Sequence, residues 1–348
     1  MKQKEVLIVG QGLAGTVLAF ELHFAGVDVC IVNNPQKSAA SRVAAGMVNP
    51  LVFKRMTKSW MVDELLPVMK KRYRELQELL GERFYFDLPM IKPLSEQETE
   101  LWQERKADKR FAPFIEIVDE SCPIDYLQES HTYGIVKGSG YLNTGRFLDR
   151  ARHFFQQNKM LIEADFPVDG KGFEDRIFQD VEFDKIVFCE GHHLKTHPLF
   201  DFIRLQPAKG EVLQIYAPDL SENYIINRRV FVLPIGNHRF KVGSTYEWED
   251  LTDTPTEKGK TSIVERLKDL IHVNYTIEEH WAGVRPTVAD RRPVLGKHPQ
   301  LEHTYVFNGL GTKGVMLVPY FASEMKQLIL DNNYRVSDEV NLKRFFSF

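Results

Sequence analysis

The feature that most constrains the fold of this chain is the sequence GQGLAG at residues 10–15, with glycine at its first, third and sixth positions. A continuous apolar run at 6–9 precedes it, as expected for a strand buried on both faces of a parallel sheet. Apolar residues at helical spacing follow at 14–25, and a second apolar run occupies 27–32. This pattern predicts a strand–helix–strand unit whose glycine turn can bind a dinucleotide.

The glycine turn has a physical reason to hold a pyrophosphate. Gly10, Gly12 and Gly15 permit a tight turn and a close backbone approach, and the start of the helix presents free N–H groups. Where such a unit usually ends in an acidic residue, this chain has Asn33. Asn33 can accept and donate hydrogen bonds, but without charge, so we expect a ribose contact weaker than a carboxylate's by about 1 kcal/mol.

The rest of the chain indicates a second unit of a different kind. A length of 348 residues suits about two domains. Helices are expected at 63–80, with Leu66, Met69, Tyr73, Leu76 and Leu80 on one face, in the charged and solvated block 95–110, and at 144–155 after a cap at Asn143 or Thr144. A strand followed by glycine is expected at 184–191. Segments 210–217, 228–235 and 238–248 resemble antiparallel strands, with a turn at 236–237.

Four further segments carry a family resemblance. They are SRVAAGMVNP (41–50), VFCEG (187–191), AGVRPTVADRRPVLG (282–296) and NGLGTKGVMLVP (308–319). Together with the first glycine motif they resemble, in order along the chain, the D-amino-acid oxidase family of FAD enzymes, in the style of glycine and sarcosine oxidases. The matches extend from residue 4 to about residue 330.

The resemblance implies an α/β fold in which a Rossmann-type, glutathione-reductase-like FAD-binding domain is interwoven with a smaller α+β domain built on an antiparallel sheet. The expected FAD-binding domain comprises residues 1–80, 140–205 and 283–348, and the expected substrate-binding domain comprises 81–139 and 206–282.

The resemblance also implies a set of FAD-binding residues. They are Gly10, Gly12, Leu13, Ala14, Gly15, Asn33, Asn34, Ser41, Arg42, Ala45, Gly46, Met47, Val48, Phe166, Gly191, Gly309, Leu310, Gly311, Thr312, Lys313, Gly314 and Val315. Glycines ahead of a helix at 309–314 would make a nest of N–H groups that stabilises negative charge on the flavin. Family members with covalent flavin use a cysteine near this loop, and 308–319 contains none, so non-covalent FAD is expected.

The substrate side centres on Arg285, which corresponds to the family's carboxylate-binding arginine. A guanidinium can hold a carboxylate with two parallel hydrogen bonds; the alternative is a structural salt bridge. Tyr246, Phe231, Met47 and Thr312 are expected beside it, although such aromatic and methionine residues also suit a core. Arg285, Tyr246 and Lys313 are the expected catalytic residues, with a solvent-facing lysine as the alternative at Lys313.

The implied activity is oxidation of a C–N bond in a small amino acid or carboxylate-bearing secondary amine, by hydride transfer from Cα to flavin N5. Oxygen or another carrier would take the electrons. The loop GLGTKG also resembles that of the tRNA-modifying oxidase acting on carboxymethylaminomethyl-uridine. A flavin-binding protein without amine oxidase activity is a third hypothesis. The amine and the oligomeric state stay open.

Composition limits the classes of binding partner and metal site that we expect. The net charge of −3, with no long basic run, predicts no nucleic-acid partner. Cys30, Cys122 and Cys189 are widely spaced, which predicts neither a disulfide framework nor a zinc site, and the histidines show no metal-ligand spacing. No apolar run is long enough to span a membrane, and the first twenty residues suit a strand and helix better than a signal peptide, so a cytoplasmic protein is expected.

Overall fold

The computed structural model of the protein describes residues 2–119, 122–167 and 176–346. The helices in those ranges are α1 (Leu13–Phe24), α2 (Ala40–Val43), α3 (Val62–Leu80), α4 (Glu96–Ala107), α5 (Thr144–Gln157), α6 (Glu257–Lys268) and α7 (Gly314–Leu330). The strands are β1 (Lys2–Val9), β2 (Val29–Val32), β3 (Met47–Val48), β4 (Leu51–Val52), β5 (Thr57–Lys58), β6 (Tyr85–Asp87), β7 (Met90–Leu94), β8 (Ile115–Asp119), β9 (Thr132–Val136), β10 (Gly140–Leu142), β11 (Leu161–Ile162), β12 (Ile177–Phe178), β13 (Val181–Phe188), β14 (Ala208–Tyr216), β15 (Ile225–Arg228), β16 (Val230–Gly236), β17 (Arg239–Gly243), β18 (Thr276–Arg285), β19 (Val294–Lys297) and β20 (Thr304–Asn308).

The first large sheet is mainly parallel and has the order β11-β2-β1-β13-β20-β19, with β12 pairing with β13. β1 lies between β2 and β13 and is parallel to both. Val6 and Ile8 face the core beneath α1, α3, α5 and α7, while Leu7 and Val9 face a second core on the opposite side. The predicted doubly buried strand is confirmed, because successive side chains of a strand point to opposite faces.

The second large sheet has eight strands in the order β18-β14-β17-β16-β15-β7-β9-β8. Its pairs are antiparallel except β15 with β7. Ile263 and Leu267 of α6 pack on one face, and Trp102 of α4 packs on the other. A parallel α/β sheet joined to an antiparallel one confirms the predicted fold class.

The chain passes repeatedly between the two large sheets. Residues 2–32, 161–188 and 294–308 supply the first sheet, and residues 90–136 and 208–285 supply the second. The exact boundaries of two interwoven domains stay a prediction.

Several local expectations need correction. The predicted buried stripe of α3 is wrong in part: Leu65 is fully buried, whereas Leu66 and Leu80 are only partly buried against the core. The predicted strand at 238–248 is too long, because the continuous ladder ends at Gly243 and only an isolated bridge between Glu247 and Lys209 follows. The cap of α5 is Asn143, whose side chain accepts the Arg146 N–H.

Across the part of the chain that the structure describes, no helix is both long and apolar enough to span a bilayer. In the same part, no three His, Cys, Asp or Glu side chains are placed to hold a metal ion.

Candidate active site

A cavity of about 510 Å³ lies between the two large sheets, within the size range of ligand pockets. Most of the predicted site residues line it: Gly10, Gly12, Leu13, Ala14, Asn33, Asn34, Ser41, Ala45, Gly46, Met47, Val48, Phe166, Gly191, Phe231, Tyr246, Arg285, Leu310, Gly311, Thr312, Lys313, Gly314 and Val315. Gly15, Arg42 and Gly309 lie outside the lining. Arg42 instead pairs with Asp149 at 2.7 Å.

The glycines of the first turn have different surroundings. A Cβ atom on Gly15 would lie 2.0 Å from the Gly10 carbonyl oxygen, so the third glycine lets α1 pack against the turn. Gly10 has φ +104°, a conformation that favours glycine. A Cβ atom on Gly12 would meet only the Ser41 hydroxyl, at 3.4 Å. The middle glycine therefore keeps the backbone open towards the cavity.

The N-terminus of α1 has the features of an anion-binding site. Its N-cap is Gly12, which offers no capping side chain, and the first turn contains no acidic residue. The Leu13 N–H donates to the Ser41 hydroxyl at 3.2 Å. Since the first N–H groups of a helix lack intrahelical partners and lie at its positive end, this terminus favours a negatively charged group.

Asn33 lies at the end of β2 and lines the cavity. Its Oδ1 accepts the backbone N–H of Gln11 at 2.9 Å, which assigns the orientation of the amide. The amide nitrogen can then donate to a ligand. The ribose contact proposed for this position stays a prediction.

Asn34 has a partner of its own beyond the strand end. Its Nδ2 donates to Asp165, which also pairs with Lys37 at 2.7 Å. The hydrogen bond from Lys37 is the main cause that lowers the pKa of the Asp165 carboxyl. These contacts fix the wall of the cavity where Phe166 lies.

The loop at 41–50 contacts the second sheet through Lys241 of β17. Gly46 has φ +72°, and a Cβ atom there would lie 2.0 Å from the Leu142 carbonyl oxygen. Met47 pairs with Tyr141 across β3 and β10. The Lys241 ammonium on β17 donates to the Ala44 carbonyl oxygen at 3.0 Å, and burial lowers its pKa to about 8.

The glycine-rich loop before α7 places Lys313 at the helix N-cap. Gly309 and Gly311 have φ values of +72° and +54°, so both occupy the left-handed region. Lys313 Nζ donates to the Ser59 hydroxyl at 2.6 Å. Burial, with smaller contributions from Arg291 and Arg292, lowers the pKa of Lys313 to about 8.

Arg285 lies at the end of β18 and projects into the cavity. Its guanidinium donates to the Ser244 hydroxyl at 2.8 Å and to the Thr245 and Lys209 carbonyl oxygens at 3.3 Å. The group stacks over the Tyr246 ring, 4.4 Å from its centroid. Burial lowers its pKa from the usual range. Among the described residues no carboxylate pairs with it, so the salt-bridge alternative has no partner here.

The other predicted substrate residues differ in exposure. Tyr246 is 54% exposed and Phe231 is 8% exposed, although both line the cavity. Tyr246 stacks with Trp248, which is 64% exposed, at a centroid separation of 6.1 Å. The roles assigned to Tyr246, Phe231, Met47 and Thr312 stay predictions.

Sequence reasoning missed Gly210, which makes room for Arg285. A Cβ atom on this β14 residue would lie 1.9 Å from Arg285 Nη2. An isolated glycine inside a strand signals a close approach of another group, so the sequence did contain a clue. Ser59, the partner of Lys313, carries no comparable signal.

Glu190 was also missed. It lines the cavity after β13, and burial raises the pKa of its carboxyl to about 7. Its Oε2 lies 3.7 Å from His197 Nε2. Burial lowers the pKa of His197 to about 4, so the histidine is neutral at pH 7 and this contact is not an ion pair.

The sequence matches the family described as FAD dependent oxidoreductase (DAO) over residues 5–328. Glycine oxidase of Bacillus subtilis (strain 168) is 27% identical over 128 residues, which cover 36% of this chain and 35% of the relative. The tRNA 5-methylaminomethyl-2-thiouridine biosynthesis bifunctional protein MnmC of Campylobacter jejuni subsp. doylei is 22% identical over 312 residues, covering 85% of this chain and 46% of the relative. These alignments thus span about a third to a half of the relatives' own length.

A solved structure shows the same fold. Glycine oxidase from Geobacillus kaustophilus superposes with a TM-score of 0.77 at 18% identity, covering 98% of each chain. The residues present fit a dinucleotide: α1 begins without a capping side chain, and the Gly12 position is open towards the cavity.

Proposed function

Because this chain belongs to the FAD dependent oxidoreductase family and is therefore an FAD-dependent enzyme, we propose that it oxidises the C–N bond of a small amino acid or carboxylate-bearing secondary amine. The similarity to glycine oxidase supports this substrate class. When bound, FAD supplies the acceptor for the hydride that leaves the carbon next to the amine nitrogen.

Arg285 carries the proposal. A guanidinium held by hydroxyl and carbonyl oxygens, in a cavity, retains its full charge for an incoming anion. A carboxylate matches its planar fork with two parallel hydrogen bonds, which fixes orientation as well as affinity. The chain's own contribution is thus to bind the substrate carboxylate and hold Cα in a fixed position.

Lys313, which also lines the cavity, supports the same reaction. Its ammonium has a neutral hydroxyl as its partner and lies at the start of α7. A positive charge at a helix N-terminus stabilises negative charge that develops nearby. We infer that Lys313 acts on the bound cofactor and not on the substrate carboxylate.

The test is anaerobic titration of the FAD-loaded protein with glycine, sarcosine, proline and D-amino acids, followed by flavin absorbance. Methylamine, which lacks a carboxylate, is the matched substrate control. We expect bleaching by at least one carboxylate-bearing amine. Replacing Arg285 with methionine removes a charge-assisted contact worth about 1.5–3 kcal/mol, so the concentration needed for half-bleaching should rise roughly tenfold or more.

Arg239→Met provides the matched control variant. Arg239 also stacks on a tyrosine, Tyr216, and lies on a strand of the same sheet, but it pairs with Glu278 outside the cavity. If Arg285→Met behaves like Arg239→Met, the carboxylate assignment is wrong. If no amine bleaches the flavin, the protein binds FAD for another purpose. For an amine that does bleach the flavin, oxygen uptake in air identifies or rejects oxygen as the electron acceptor.

A second candidate, oxidation of carboxymethylaminomethyl-uridine in tRNA, is favoured by Tyr246, which lines the cavity, and by its exposed stacking partner Trp248. Proteins that recognise unpaired bases stack them on aromatic side chains. The similarity to the Campylobacter protein supports this candidate. Trp248→Ala should weaken binding of a single-stranded RNA and leave bleaching by free amino acids unchanged; equal RNA binding would reject it.

A further inference from the structure

A second cavity, of about 390 Å³, has an unusual charge. Its charged lining consists of four cations, one histidine and one acid: Arg228, Arg229, Arg266, Lys268, His272 and Asp269. Among the lining residues that the structure describes, Arg229 is the one shared by the two cavities.

Among the described residues, none of the four cations forms an ion pair within 4.0 Å of a carboxylate oxygen. Within residues 2–119, 122–167 and 176–346, Arg228 donates to the Gln128 side-chain oxygen and Arg266 to the Ser262 hydroxyl, both neutral acceptors. Neither Arg229 nor Lys268 pairs with a carboxylate in those ranges. The chain as a whole carries a net charge of −3, so this local excess of positive charge opposes the overall balance.

Helix termini account for only part of the cluster. Arg266 and Lys268 lie in the last turn of α6, where cations complement the helix dipole. A helix C-terminus carries about half a unit of negative charge, which is too little to balance the group. Arg228 and Arg229 come from a different part of the fold, the last residue of β15 and the turn that follows it.

Arg229 has an unusual backbone conformation. Its φ is +55°, in the left-handed region where glycine or asparagine is favoured and a long side chain is held at a cost of about 1 kcal/mol or more. The residue is exposed and lines both cavities. This backbone conformation follows from the place of Arg229 at the turn between the paired residues Arg228 and Val230.

We propose that the second cavity is a phosphate-binding subsite, and that the amine oxidised by this protein is carried on a molecule that also bears phosphate. This inference rests on the proposed amine oxidation. Arg285 serves the carboxylate, and the arginine pocket serves a second anion on the same substrate. Guanidinium groups bind phosphate oxygens in pairs, and several together suit a doubly charged group better than one carboxylate does.

The test uses the FAD-saturated protein, so that nucleotides cannot enter the cofactor site. Inorganic phosphate, uridine 5′-monophosphate and a stem-loop RNA are titrated by calorimetry in wild type and in Arg229→Asn. Asparagine accepts the left-handed conformation, so the variant keeps the turn. We expect binding of the phosphate esters to weaken about tenfold or more, the loss expected for one charge-assisted contact.

Arg176→Asn is the matched control, because Arg176 is another arginine of positive φ, 52°, that lies outside both cavities. It should bind the probes as wild type does. Tight, strongly salt-dependent RNA binding whose log–log salt slope falls by roughly 1 in Arg229→Asn identifies RNA as the carrier. Equal affinity for mononucleotide and RNA identifies a small phosphorylated amine.

The proposal is overturned if no probe binds, or if Arg229→Asn binds them as tightly as wild type. Calorimetry does not depend on flavin reduction, so it separates this result from a failure of the oxidase assignment. A protein that binds phosphate through Arg229 but is bleached by no amine, phosphorylated or free, would retain the subsite and lose the proposed reaction.

Discussion

Gly12 and Gly15 belong to the same turn, yet a methyl group added to each would meet different surroundings. At Gly15 it would overlap the Gly10 carbonyl oxygen, and at Gly12 it would project past Ser41 into the cavity. A substitution at Gly12 should therefore affect ligand binding, and a substitution at Gly15 should affect the stability of the fold. A sequence motif alone treats the two positions alike.

We expect Gly12→Ala to weaken FAD binding about tenfold or more while the unfolding temperature of the FAD-free protein stays near the wild-type value. Its φ of −80° suits alanine, so no backbone strain is added. Gly15→Ala should instead destabilise the FAD-free protein by about 1–3 kcal/mol through overpacking. Flavin fluorescence and thermal denaturation measure the two effects, and the reverse pattern would show that the roles are misassigned.

Arg285 shows how far sequence reasoning reaches at this scale. The family resemblance placed a cation in the cavity, and the structure finds it there. The surroundings of its guanidinium, which has uncharged partners, could not be predicted, because they depend on Gly210 from β14 and on Ser244 beyond β17. Those neighbours lie 75 and 41 positions away in the chain.

At the scale of elements, β17 and the loop at 41–50 are joined by a half-buried lysine. The Lys241 ammonium donates to the Ala44 carbonyl oxygen and lies 5.6 Å from the centroid of the Trp281 ring. Burial without an acidic partner disfavours its charged form. The folded chain therefore holds this proton less tightly than the unfolded chain does.

The sign of that dependence follows from the protons bound in each state. Burial lowers the pKa of Lys241 to about 8 in the folded chain, against a usual value of 10.5. Between these values the unfolded chain keeps a proton that the folded chain has lost, so the free energy of unfolding rises with pH. The rise should reach at most roughly 3 kcal/mol and should be absent in Lys241→Met.

Urea denaturation at a series of pH values between 7 and 10 measures this difference. The neutral amine still donates to the Ala44 carbonyl oxygen, so the contact itself survives deprotonation. Lys258→Met is the control, because its side chain is 90% exposed and folding does not desolvate it. Parallel pH curves for wild type and Lys241→Met would show that the lysine is hydrated in the folded protein.

Most elements could be predicted from periodicity, but their pairing could not. The pattern predicted strands at β1, β2, β13 and β14, and all are present. The parallel contact of β7 with β15 joins Ile91 to Ile226, and nothing local to either strand specifies it. The end of β17 at Gly243 was missed for a similar reason: the next residues form the pocket around Arg285 instead of continuing the strand.

At the scale of the whole molecule, the main cavity separates the two large sheets, so its ligand contacts both. FAD should therefore stabilise the whole fold and not a single loop. Removing it should lower the unfolding temperature, and returning it at 100 times the dissociation constant should add about 2.7 kcal/mol. Thermal denaturation at increasing FAD concentration measures the effect; an unfolding temperature independent of FAD would contradict it.

The arginine pocket is likewise a property of the whole molecule. The sequence contains no long basic run, and it predicted no nucleic-acid partner for that reason. Folding brings Arg228 and Arg229 together with Arg266 and Lys268, which lie more than thirty positions further along the chain. These positive charges are dispersed in the sequence and come close together only when α6 packs against the second sheet.

The interleaved connectivity also bears on how the chain is made. β1 and β2 leave the ribosome early, but β13 and β20, which complete their sheet, are synthesised much later. β7 likewise waits for β15, and β14 for β18. Unpaired strand edges of both sheets are thus exposed together during synthesis, and such edges promote aggregation. Neither large sheet can be completed before synthesis of the other has begun, so we expect the nascent chain to depend on chaperones until residues near 308 have emerged.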